Sequence, residues 1–153
     1  MKFRDTAVLF LATGFNIGNI PLAPGTFGSI LGLALCFVLA GLKLPWAVVC
    51  IGLFIALAVR IAAEAEILLK QKDPGCIVID EIAGMAVTFV GLPLNLTTAL
   101  IGFINFRILD ISKPFPIRTL DKRVSGGVGI VIDDVVAGIF ANLLLRLIYV
   151  FFL

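Results

Sequence analysis

The sequence predicts an all-α fold: a compact multi-helix integral membrane protein with short or re-entrant helices and a cytoplasmic-face site. Three observations carry this. Of 153 residues, 61% are hydrophobic and only 14% charged, whereas soluble domains run at about 45–50% apolar and roughly 25% charged. A small domain has proportionally more surface to cover, so a buried core does not absorb the excess, and lipid is the remaining solvent. The apolar runs are broken by Gly, Pro and Asn into pieces of helical length, many below the roughly 17–25 residues that cross hydrocarbon. Finally, the basic residues Lys2, Arg4, Lys70, Lys72, Arg107, Lys113, Arg118, Lys122 and Arg123 fall on one side once the N-terminus is placed inside. The opposite turns hold only Lys43, as the positive-inside rule expects.

The elements follow in order within one domain, residues 1–153. Ala7 to Ala12 is a short apolar stretch behind Lys2 and Arg4. Asp5 interrupts its basic end and no small-x-small cleavage site follows, so it reads as a retained segment at the interface. Thr13 to Gly28 is uncharged but rich in Gly, Asn and Pro, which predicts loop. The first membrane helix is expected from Ser29 to about Leu42. A second is expected from Trp46 to about Leu69, with Arg60 and Glu64 at pairing i,i+4 spacing. Ile82 to Phe106 is uncharged but divided by Gly91, Pro93 and Asn95, predicting two short helices at about 82–92 and 97–111. Ser112 to Gly129 is polar and basic, and a last helix is expected from about Asp134 to the C-terminus.

Composition also removes chemistries. The chain has no histidine, which excludes His-assisted Ser or Cys nucleophiles, phosphohistidine and imidazole-bound zinc. Three cysteines, Cys36, Cys50 and Cys76, imply no disulfide framework. A net charge of +2 gives no ground for a nucleic-acid partner.

Three constellations remain. Ile77-Val78-Ile79-Asp80-Glu81 is echoed by Ile130-Val131-Ile132-Asp133-Asp134, each followed by small residues suited to close helix packing. Acids at a helix start can serve as caps. Two adjacent acids occurring twice in so uncharged a chain point instead to a cation. Mg²⁺ is the natural candidate, held by carboxylates and a substrate phosphate. Arg107, Asp110 and Lys113 share a helical stripe that Pro114 ends, and the two bases can clamp phosphate oxygens. Pro24-Gly25-Thr26-x-Gly28-Ser29 precedes the expected first helix, where backbone N–H groups can face an anion. Gly126-Gly127-x-Gly129 is either a hinge or a second such turn. Together these suit metal-assisted phosphoryl transfer on a lipid headgroup. The competing classes are a non-catalytic headgroup binder and a small transporter with a cation in transit. A transport path would have to draw on Arg60, Glu64, Asn142 and Arg146.

On these motifs the chain resembles the phosphatidylglycerophosphatase A family. The shared pieces are Ala23-Pro24-Gly25-Thr26-x-Gly28-Ser29, Ile79-Asp80-Glu81-x-x-Gly84-Met85 and Phe106-Arg107-x-x-Asp110-x-x-Lys113-Pro114. Gly126-Gly127-x-Gly129-Ile130-x-x-Asp133-Asp134-x-x-Ala137-Gly138 completes the order. The Gly14-Phe15-Asn16-Ile17-Gly18-Asn19 stretch departs from the family, which more often has smaller residues there. The resemblance implies Mg²⁺-dependent removal of the terminal phosphate of phosphatidylglycerophosphate at the cytoplasmic face of a bacterial inner membrane. Asp80, Glu81, Asp133 and Asp134 are then expected to hold the metal, with Asp110 joining them in catalysis. Arg107, Lys113, Pro24, Gly25, Thr26, Gly28 and Ser29 are expected to bind the phosphate. Rival phosphatase signatures are missing: Cys76 is followed six residues later by Ile82 rather than Arg, and no Asp-x-Asp occurs.

Overall fold

The computed structural model describes residues 3–152, and among them every regular element is helical. α1 (Phe3–Ala12) leads through a 3-10 turn (Ile17–Asn19) to α2 (Pro24–Leu39) and α3 (Leu44–Leu69). α4 (Ile79–Thr88), α5 (Leu96–Ser112), α6 (Ile117–Arg123) and α7 (Gly126–Phe152) follow. α3 and α7, of 26 and 27 residues, are long and apolar enough to cross a membrane. At 1.5 Å per residue each reaches roughly 40 Å, beyond the ~30 Å hydrocarbon core. Only 22% of each apolar window is buried, so these are not core helices of a water-soluble domain. Leu53, Leu57, Leu143, Leu147 and Val150 stand exposed on them, a surface that lipid rather than water suits.

α1, α4, α5 and α6 pack on this pair, and α2 packs on α4. α4 and α5 confirm the expected division of the 82–111 region. Asn95 caps α5 through a reciprocal pair of hydrogen bonds with Thr98, which explains why an Asn lies in an apolar run. At the other end of α4, the Asn142 amide donates to the carbonyls of Thr88 and Val90 at 2.8 and 3.0 Å. Arg146 donates to the Val90 carbonyl at 2.7 Å and to Asn142 at 2.8 Å. A ten-residue helix can therefore end against α7 with its last carbonyls satisfied.

Several boundaries differ from the sequence expectation: α4 runs Ile79–Thr88 rather than about 82–92, which places Asp80 and Glu81 in its first turn. α2 starts at Pro24, not Ser29, and ends at Leu39. Pro is favoured in a first turn, and Gly28, which suggested loop, faces α4: a Cβ there would lie 2.7 Å from Val78 Cβ, as one on Gly32 further along the helix would lie 2.6 Å from Met85 Cβ. α7 starts at Gly126, not Asp134. Gly127 lies against the Val59 carbonyl and Gly129 against the Val124 carbonyl, at 2.0 and 2.4 Å from where a Cβ would stand. Gly127 and Gly129 thus serve packing, while Gly126, at φ 71° with nothing within 4 Å, forms the turn into α7. Glu64 pairs with Arg4 of α1 at 2.9 Å instead of with Arg60.

Candidate functional site

α4 and α7 cross where glycine meets glycine. A Cβ on Gly138 would stand 2.3 Å from the Gly84 carbonyl oxygen, and one on Gly84 would stand 2.6 Å from the carbonyl oxygen of Asp134. Asp80 lies four residues before Gly84 and Asp134 four before Gly138, one helical turn in each case, so the crossing brings these two acids together. Phe106 of α5 is fully buried with its ring against Gly84, which delivers the next residue, Arg107, to the same place. Gly25 in the opening turn of α2 is equally constrained, since a Cβ there would lie 2.2 Å from Glu81 Oε1 and 3.2 Å from Arg107 Nη1.

These elements surround a polar cavity of about 170 Å³ lined by Asp80, Glu81, Asp110, Lys113, Asp133 and Asp134, with Asp73 at its edge. One carboxylate oxygen each from Asp80, Glu81 and Asp134 lie within 4.8 Å of one another. Asp80 Oδ1, Glu81 Oε2, Asp133 Oδ1 and Asp134 Oδ2 are buried without a hydrogen-bond partner. Two charged carboxylates at that separation repel by roughly 3–4 kcal/mol at an effective dielectric near 20. Burial first, then the neighbouring Glu81 and Asp134 carboxylates, push Asp80 well above the ordinary carboxylate range. Burial likewise raises Glu81, which Asp110 adds to and Arg107 opposes. A pocket of unpartnered carboxylate oxygens is chemically matched to a hard divalent cation of the Mg²⁺ or Ca²⁺ type.

Two basic groups border the acids. Arg107 Nη1 donates to Asp110 in an ion pair and to Ser29 Oγ at 3.4 Å, and its Nε is buried without a partner. Ser29 is itself fully buried, donating to the Gly25 carbonyl at 2.8 Å. Lys113 bridges Asp133 Oδ2 at 2.6 Å and Asp121 Oδ1 at 2.8 Å. Burial alone would lower its pKa, but the hydrogen bonds to the two acids outweigh that and keep the ammonium protonated.

The family model described as phosphatidylglycerophosphatase A matches residues 10–149. The chain belongs to that family. The phosphatidylglycerophosphatase A of Escherichia coli K12 is 40% identical over 134 residues, 86% of this chain and 77% of that protein. That of Haemophilus influenzae is 39% identical over 137 residues, 86% of this chain and 82% of its own. A Bacteroides thetaiotaomicron protein provisionally named a phosphatidylinositol-3-phosphatase is 33% identical over 152 residues, 95% of each chain. No solved structure matches the chain.

The structure thus gathers most of the residues singled out from the sequence, with a finer division among them. Asp80, Glu81 and Asp134 form the close carboxylate group, while Asp133 turns one oxygen to Lys113. Of the 24–29 stretch, Gly25 and Ser29 reach Glu81 and Arg107, whereas Gly28 packs on Val78. Pro24 and Thr26 belong to the opening turn of α2. The residues a cation path would need are divided between the two ends of the bundle, Glu64 on Arg4 and Asn142 with Arg146 on the end of α4. Sequence reasoning passed over Asp73 and Asp121. Asp121 carried a signal, being the one acid in the basic 112–129 stretch.

Proposed function

We propose that the protein hydrolyses the terminal phosphomonoester of phosphatidylglycerophosphate to phosphatidylglycerol and inorganic phosphate, with Mg²⁺ held by Asp80, Glu81 and Asp134 and supported by Asp133. The observation that carries this reading is the set of buried carboxylate oxygens without partners, facing one cavity that Lys113 also lines and that Arg107 reaches through its ion pair with Asp110. Family membership supplies the substrate class, a phospholipid bearing a phosphomonoester. When bound, the cation neutralises phosphoryl oxygens and lowers the pKa of a coordinated water.

The chain's own groups do the rest. Arg107, oriented by Asp110 and Ser29, offers its unpartnered Nε–H to a phosphoryl oxygen. Lys113 lines the cavity itself and presents positive charge there. The opening turn of α2 abuts Glu81 and Arg107 through Gly25, so the positive end of that helix dipole lies beside the phosphate position. Asp110 keeps Arg107 in place and is the carboxylate on hand to take a proton from the attacking water. In the overall reaction the phosphorus–oxygen bond to the glycerol breaks, one to the water oxygen forms, and a proton passes to the departing alkoxide. We assign the cavity to the cytoplasmic leaflet of a bacterial inner membrane, with α3 and α7 as crossing helices. The concentration of basic residues on that side supports the assignment.

Phosphate release by the purified protein in detergent with Mg²⁺ tests the reading, with phosphatidylglycerophosphate and phosphatidylinositol-3-phosphate compared as substrates. Asp80→Asn and Asp133→Asn are expected to lose most of the activity while remaining folded. Near-normal release from both would remove the metal-site assignment, and a preference for the inositol lipid would change the substrate.

A further inference from the structure

We infer that Asp121 is a positioning residue for the reaction, acting through Lys113; the inference rests on the phosphatase reading above. Lys113 ends α5 in the left-handed conformation, φ 42°, so its long side chain is not fixed by the helix it leaves. Two acids from two other elements fix it instead: Asp133 of α7 at 2.6 Å and Asp121 of α6 at 2.8 Å. An ammonium carries three donors. With two taken by these acids, one remains for a phosphoryl oxygen.

The two acids are not equivalent. The Asp133 side chain is 6% exposed and that of Asp121 is 32% exposed. Asp133 alone would draw the ammonium inward, where its charge would cancel the carboxylates that face the cavity. Asp121 holds the ammonium toward the rim and leaves Asp133 Oδ1 unpartnered in the cavity. α6 is itself anchored: Ile117 is buried in the cluster that contains Phe106, Met85 and Phe89. The rim carboxylate is therefore referenced to the same core that places Arg107.

A double-mutant cycle on phosphate release from the lipid phosphate decides the matter, using wild type, Asp121→Ala, Lys113→Ala and the double variant, each checked by melting in detergent. Asp121→Ala should lower kcat about tenfold, and Asp121→Asn, which keeps an acceptor oxygen, should recover most of that. In the Lys113→Ala background the Asp121 change should cost nothing further. An equal cost in both backgrounds, or a kcat for Asp121→Ala within about twofold of wild type, overturns the inference while leaving the phosphatase reading intact. Should the alanine variant not survive extraction, Asp121→Ser replaces it in the same cycle. A wild-type protein that releases no phosphate sinks the phosphatase reading, and this inference with it.

Discussion

Gly25→Ala is expected to separate catalysis from folding. The new Cβ would stand 2.2 Å from Glu81 Oε1, whereas ordinary contact begins at 3.4 Å, so Glu81 must withdraw by about 1.2 Å. The atom struck is the end of a side chain rather than backbone, so the fold can accept the change. Replacing a helical Gly by Ala even returns up to about 1 kcal/mol of backbone entropy. The carboxylate that withdraws, however, is one of the three that meet within 4.8 Å. A displacement of about 1 Å in a catalytic group costs on the order of 100-fold. Phosphate release in detergent should therefore fall about 100-fold with a melting temperature close to wild type. Gly138→Ala gives the contrasting outcome, because its Cβ would meet the Gly84 carbonyl at 2.3 Å and backbone there cannot retreat. That variant should lose stability first. A Gly25→Ala protein with wild-type kcat would show that the position of Glu81 does not matter to the reaction, and the carboxylate site would have to be redrawn without it.

Three further outcomes follow from the structure. Asn142→Leu removes the donor to the Thr88 and Val90 carbonyls, which should cost about 1–3 kcal/mol. Melting should register the loss while kcat per folded molecule stays near wild type. Because Asp80 and Glu81 hold protons more tightly than ordinary carboxylates, a cation must displace protons from them as pH falls. The Mg²⁺ concentration needed for half-maximal rate should thus rise as pH is lowered; a requirement that stays flat would contradict a carboxylate metal site. At about 100 times its Kd the cation should also stabilise the fold by roughly 2.7 kcal/mol in melting, an effect chelation reverses.

Hydropathy and charge made the apolar helices and the polar face legible, because both depend on composition along the chain, whereas α6 (Ile117–Arg123) lies in a stretch read only as polar and basic. Helix starts were less legible where glycine serves packing. In 24–28 and 126–129, Gly signalled loop, yet Gly28, Gly127 and Gly129 lie where a neighbouring atom leaves no room for a Cβ. Local sequence carries no mark of that neighbour. The Glu64 partner was misjudged for the same reason, since Arg4 is sixty residues away and Arg60 only four.

The acidic echo shows how far a sequence pattern reaches and what completes it. Aligned by their Ile-Asp steps, the copies match Asp80 with Asp133. The structure matches Asp80 with Asp134 instead, because the helices register on their glycines, and the second copy carries one extra residue before its glycine. Consecutive residues on a helix point about 100° apart. That one residue is what frees Asp133 from the carboxylate group and aims it at Lys113. Two nearly identical strings thus supply different chemistry: Asp80 and Glu81 both serve the carboxylate group, while the second pair divides, Asp134 to the acids and Asp133 to the ammonium that Asp121 steadies from the rim.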